Sequence, residues 1–273
     1  MSLGSGAGLH VPSGGRVDAF AYWQYIGRWS QLFVPSLLAA AETGTGQLVL
    51  DLATGSGEAA AKAVLVVGDA GLVVGADVSL AMLQAASSRL SGSSFRAVVT
   101  DGESLAFGDG CFDAVVCQLG LMFFPDPGRG LAEIRRVLRP GRSAAVCVIS
   151  SADRAPMWGI LAECLSRRLP EHVRTIGLSF SLADSARLER LLIAAGFHDV
   201  RVWRETREGC IESFDEYWTP IESGTGQLPQ AYRALDAESR RAVRDEARER
   251  LTQYEVDGRL IMSVEMLIGA GRA

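Results

Sequence analysis

Residues 49–58, Val-Leu-Asp-Leu-Ala-Thr-Gly-Ser-Gly-Glu, constrain this chain more than any other stretch. An apolar run holding an acid, a turn of small residues and an Ala-rich pattern read as the first strand, tight loop and first helix of an open α/β sheet. The alternation continues, with strands expected near 48–52, 72–76, 95–99, 112–117 and 143–149 and helices near 57–67, 79–90 and 128–138. Ala114-Val115-Val116-Cys117 is apolar on both faces, which suits a parallel strand covered from both sides. Arg139-Pro140-Gly141 stops the third helix. Further strands over 199–204 and 260–268 complete a mostly parallel, seven-stranded, Rossmann-like α/β sheet with helices on both faces.

The flanking segments add helical cover. The Gly- and Ser-rich residues 1–16 read as a flexible tail, and 17–273 as a single domain. Within it, 17–45 is an N-terminal cover, 46–150 a ligand-binding core, and 151–183 with 207–257 a cover on the substrate side. Tyr22, Ile26, Trp29 and Phe33 make a helical stripe opposed by Gln24, Arg28 and Gln31, and Pro35 opens a short helix to about 41. Four rings at Tyr22, Trp23, Tyr25 and Trp29 exceed what one core stripe needs, so some are expected over a ligand, while Trp29 is expected to pack on the sheet. Two helices near 213–223 and 236–256 precede the last strand. In the second, Arg241 with Asp245 and Glu246 with Arg250 read as i,i+4 pairs on a solvated face.

A net charge of -5 argues against nucleic acid or an anionic membrane surface as partner. The five cysteines include no Cys-x-x-Cys and make an odd total, so buried free thiols in a reducing compartment are expected. With no run of 18 apolar residues and no signal pattern, the expected location is the cytoplasm. The expected partners are a small molecule and a second copy of the chain, met through the helical cover. No metal set is expected.

The chemistry gathers at the strand ends. Asp51, Asp77, Asp101 and Gln118 close successive strands and face one crevice. Each acid alone has a bland role: Asp51 and Asp101 as turn residues, Asp77 as a helix cap. Their shared position is what argues for a ligand. Gly55-Ser56-Gly57-Glu58-Ala59-Ala60 satisfies G-x-G-x-x-A, and Asp77 lies twenty residues past Gly57, so a nicotinamide dinucleotide stays open. Against it, Asp51 would repel a pyrophosphate yet welcome the ammonium and sulfonium of S-adenosylmethionine, and a dinucleotide leaves Asp101 unexplained.

Five motifs in order carry a resemblance: Val49 to Gly57, Gly75 to Leu83, Thr100 to Phe107, Phe112 to Gln118 and Glu133 to Gly141. They are similar to those of class I S-adenosylmethionine-dependent methyltransferases of small-molecule type, the quinone C-methyltransferases among them. Ala53 replaces a usual glycine, tolerable if that backbone needs no positive φ, and Arg142 departs outside the cofactor site. The resemblance implies Ala53, Gly55 and Gly57 against the methionyl part, with Asp51 orienting it. Asp77 would accept the ribose hydroxyls, Val78 and Met82 wall the adenine, and Asp101 take its amino group beside Gly102. Gln118 and Leu119 would flank the sulfonium, with Met122 and Phe123 nearer the acceptor.

The reaction this resemblance implies is in-line methyl transfer to a small apolar or aromatic acceptor, on carbon or oxygen, leaving S-adenosylhomocysteine. His172 is the candidate base, with a surface histidine as its bland reading; Tyr22 and Tyr25 are candidates for covering the methionyl end or steering the acceptor. Trp158 and Trp218 either line an apolar pocket or simply pack. The alternatives are a protein that binds this cofactor without transfer, as scaffold or cyclase, and an NAD(P)-binding oxidoreductase.

Overall fold

The computed structural model describes residues 18–223 and 226–273; the expected tail, with His10, lies outside them. Strands β1 (Leu48–Leu52), β2 (Leu72–Asp77), β3 (Phe95–Val99), β4 (Phe112–Gln118), β5 (Leu138–Ile149), β6 (His198–Ile211), β7 (Glu255–Val256) and β8 (Arg259–Arg272) form one sheet. Its order is β3-β2-β1-β4-β5-β8-β6, with the two-residue β7 paired to β8. β1 to β5 pair in parallel; β8 runs antiparallel between β5 and β6. All seven expected strands are present, and β7 adds an eighth by folding back on β8.

The helices are α1 (Ala19–Tyr22), α2 (Arg28–Ser30), α3 (Val34–Ala40), α4 (Glu58–Val67), α5 (Leu80–Arg89), α6 (Pro127–Val137), α7 (Pro156–Arg168), α8 (Val173–Ile176), α9 (Ser185–Ala194), α10 (Phe214–Ser223), α11 (Gln227–Ala234) and α12 (Ala237–Leu251). None of the described helices is long and apolar enough to cross a membrane. Asp126, Asp184 and Asp236 accept from backbone amides at the starts of α6, α9 and α12, the capping chemistry short acids supply. Because β1 sits between β2 and β4, the chain leaves it to both sides, and a crevice opens at the strand ends there.

Three differences from expectation have physical causes. β6 continues to Ile211, although 204–208 is polar throughout, because it pairs along nearly the whole of β8, whose 264–270 is buried. The N-terminal stripe splits in two. A π-helical turn, Trp23–Gly27, joins α1 to α2; Tyr25, Trp29 and Phe33 turn inward, while Tyr22 and Ile26 stay half-buried. Trp29 does pack on the sheet: a Cβ at Gly209 of β6 would fall 2.3 Å from its ring. Finally, the expected pairs within α12 give way to pairs across helices. Glu246 binds Arg167 and Arg168, and Arg250 binds Glu163, all on α7. Four cysteines are buried or half-buried as expected, and Cys210, on β6, is exposed.

Candidate functional site

Three residues in five turn the chain from β1 into α4 with positive φ: Ala53 at 56°, Gly55 at 55° and Gly57 at 85°. The condition set for Ala53 therefore fails. An alanine in this left-handed region costs about 1–2 kcal/mol, which a glycine would avoid. Gly120 leaves room for the Ala53 side chain, since a Cβ there would fall 2.3 Å from the Ala53 Cβ. Strain held at a ligand loop is characteristic of functional sites, and Leu119, at the end of β4, has φ 55° as well.

Asp51 is 1% exposed. Its Oδ2 accepts from the Thr54 hydroxyl at 2.6 Å, while among the described residues Oδ1 has no partner. Burial pushes this carboxyl up to about 7; the Thr54 hydroxyl and the Ala60 amide oppose the shift, and Glu58 and Asp77 add to it. Asp77 binds the loop itself: Oδ2 accepts from the Gly55 amide at 3.0 Å and Oδ1 from the Ser79 amide at 2.9 Å. Burial raises its pKa and these amides hold it back. Each oxygen keeps a second lone pair for a ligand hydroxyl.

One acid of the crevice was not singled out in the sequence. Glu58, 7% exposed, accepts from the Ser56 hydroxyl and from Arg89, each at 2.8 Å. An acid in the first turn of a helix has an ordinary reading through the helix dipole, so only its burial marks it. Asp51, Thr54, Gly55 and Glu58 form the floor, Gln118 and Leu119 one wall, and Tyr22, Ile26 and Ser30 the lid. The Tyr22 hydroxyl stands 3.8 Å from where a Cβ on Gly55 would lie. Burial first, then Glu58 and Asp77, drives its pKa upward, so it is a neutral donor. Gln118 Nε2 donates to the Ser30 carbonyl at 2.7 Å and fastens the lid to β4.

Beyond Asp77 the crevice becomes open and apolar. Val78 is 68% exposed and Val99 53%, apolar surface at two strand ends that suits a flat base. Met82 is half-buried and Asp101 exposed, with Oδ1 accepting from the Glu103 amide at 2.9 Å. Gly102 is required by packing, because the Phe124 ring lies 2.2 Å from where a Cβ would be built, which leaves its backbone beside Asp101.

The acceptor-side expectations fare less well. Met122 is buried, its carbonyl accepting from Ser181, and only Phe123 is exposed. Trp158 is buried and donates to the Tyr25 carbonyl at 3.3 Å, and Trp218 stacks on Phe214, so both serve packing. Tyr25 is buried rather than presented to the crevice, with a hydroxyl unpartnered among the described residues. His172 is not among the crevice residues; it lies 3.8 Å from its neighbour Glu171. Helical periodicity could not register the extra residue of the π turn, nor the burial of α7.

An unpartnered, buried carboxylate oxygen beneath a glycine loop fits a ligand whose inner end is cationic. The loop amides, Asp77 and the exposed valines fit a nucleoside beyond it. That donor set matches S-adenosylmethionine better than a dinucleotide.

Comparison with known proteins agrees with this chemistry. A family profile described as a methyltransferase domain matches residues 50–146. The demethylmenaquinone methyltransferase of Corynebacterium kroppenstedtii is 34% identical over 177 residues, covering 61% of this chain and 74% of that protein. Among solved structures, phosphoethanolamine N-methyltransferase 2 of Haemonchus contortus in complex with S-adenosyl-L-methionine aligns with a TM-score of 0.59 at 20% identity, over 93% of this chain and 56% of that one. The cyclase SpnF aligns with a TM-score of 0.54 at 20% identity, over 89% and 81%. At such identities the structural likeness speaks for the fold alone, and a fold shared with a cyclase does not by itself imply transfer.

Proposed function

The chain belongs to the class I S-adenosylmethionine-dependent methyltransferases, and on that premise we propose that it methylates a small aromatic acceptor of quinone type by in-line displacement. The observation that carries this reading is the Asp51 carboxylate, buried and half-partnered at the floor of a crevice roofed by Tyr22 and Ile26. The cofactor supplies a methyl group already activated on a sulfonium.

The chain's own residues then bind, align and exclude water. Asp51 holds the ammonium end, Ala53, Gly55 and Gly57 bring backbone against the methionyl part, and Asp77 takes the ribose hydroxyls. Val78 and Met82 wall the base, and Asp101 accepts from its amino group. Gln118 and Leu119 flank the reacting sulfur, and Tyr22 closes the site. Holding two reactants in line is worth about 7–11 kcal/mol of barrier in well-aligned systems, so little more is required. An electron-rich ring carbon of a hydroquinone can attack the activated methyl directly, the sulfur leaving as S-adenosylhomocysteine and the displaced ring proton passing to solvent after transfer. The name of the Corynebacterium relative points to the same class. The five free thiols support a reducing, cytoplasmic setting.

The test is incubation with S-adenosylmethionine and a reduced naphthoquinone lacking one ring methyl, read by mass spectrometry. A product heavier by one CH2, with S-adenosylhomocysteine formed in equal amount, is expected. Tight S-adenosylhomocysteine binding with no transfer to any quinol would overturn the quinone-type acceptor.

A further inference from the structure

β6 closes one side of the sheet, and its outer edge is paired with no strand among the described residues. Natural edge strands are usually short, covered, or interrupted by proline or a bulge. This one runs fourteen residues, contains no proline, and has its only register shift at its start, between His198 and Arg201. Arg204, Thr206, Arg207, Glu208 and Cys210 are exposed along it.

Charge is the remaining defence. Within the chain Glu205 meets Arg207 and the Ser36 hydroxyl, and Arg204 reaches Glu265, while Arg204, Arg207 and Glu208 stay exposed, so the strand can also pair its charges with those of its own copy. In a symmetric antiparallel pair about a two-fold axis normal to the sheet, the strand reads its own sequence backwards around a central residue. Centring on Arg204, Glu205, Arg207 or Glu208 sets a like charge against itself. Centring on Trp203 matches charges but draws in the irregular start. Centring on Thr206 uses only the regular part, 201–211. It sets Arg204 opposite Glu208 and Glu205 opposite Arg207, twice each, with Trp203 opposite Gly209 and no like charges facing. Opposed pairs of opposite sign stabilise an antiparallel ladder and like pairs weaken it, so the charges select one register.

We propose that two copies of this chain associate through β6, antiparallel and centred on Thr206, to make a sheet continuous across the dimer. The contact lies on the outer edge of the sheet, not on the helical cover, and is independent of what the crevice binds.

Sedimentation velocity of the full chain at tens of micromolar tests it. The native protein is expected to sediment with the mass of two chains. Glu208→Arg, on an exposed residue, sets four arginines around the axis and is expected to give single chains. Arg204→Glu combined with Glu208→Arg restores the complementarity and is expected to restore the dimer, with circular dichroism confirming that each variant is folded. A second measurement does not depend on charge. Facing Cα atoms in such a ladder lie about 4.5–5.5 Å apart, within disulfide range. Thr206→Cys in a Cys210→Ser background is therefore expected to form an inter-chain disulfide on mild oxidation, and Arg201→Cys, which faces Ile211, is not. A single-chain mass for the native protein, whether the edge stays solvated or is covered by residues 1–17, overturns the proposal. So does a dimer indifferent to Glu208→Arg and unlinked at Thr206→Cys.

Discussion

At the scale of single residues, Asp51 has the most measurable behaviour. Its carboxyl is pushed from an ordinary 3.8 up to about 7 by burial. Between those values the native chain keeps a proton that the unfolded chain has lost. The native state therefore binds more protons there, and its stability falls as pH rises through the window, then levels off above about 7. A bound ammonium favours the ionised carboxylate, so cofactor binding at pH 6 should release a proton and tighten as pH rises toward 8. Calorimetry with S-adenosylhomocysteine in buffers of different ionisation heat reads this directly. Asp51→Asn should weaken binding and abolish the pH dependence; proton-neutral binding at pH 6 in the native protein would refute the assignment.

Ala53 and Gly120 form a second, coupled pair. Gly120→Ala alone meets the Ala53 Cβ and should cost about 1–3 kcal/mol, as overpacking does. In an Ala53→Gly background that obstacle is gone and the cost should fall. Ala53→Gly itself relieves about 1–2 kcal/mol of strain against about 0.4–1 kcal/mol of added chain entropy, a small net gain. Urea unfolding of the four proteins of the cycle gives the coupling, and additive effects would contradict the contact.

At the scale of elements, the lid is the part to probe. Trp29, one residue before Ser30 of the lid, lies flush on Gly209 of β6. Gly209→Ala pushes against a rigid ring and should cost about 1–3 kcal/mol, lowering the unfolding midpoint and weakening S-adenosylhomocysteine binding as the Tyr22 side of the lid shifts. A stable variant with native affinity would show that the lid does not depend on this seat. The same scale explains what periodicity could not show. Tyr22, Ile26, Trp29 and Phe33 look like one stripe in sequence, but a π turn divides them between crevice and core. The charges of α12 look like a solvated face, yet Glu246 and Arg250 fasten it to α7, a choice of partner that depends on where α7 lies.

At the scale of the whole molecule, much of the cofactor half was legible and little of the acceptor half. The parallel strands, the turning glycines and the acids at 51 and 77 follow from short-range patterns: an apolar run buried on both faces, a backbone that must reach positive φ, a carboxylate at a strand end. Such requirements act within a few residues, so sequence alone determined the fold class and the cofactor family. Burial of Glu58, the unmet oxygen of Asp51, the displacement of His172 from the crevice, the absorption of Tyr25 and Trp158 into packing and the bare edge of β6 were decided only by the tertiary structure. Each depends on which segments, distant in the chain, exclude water from one another. That is a property of the assembled fold, and no local pattern carries it.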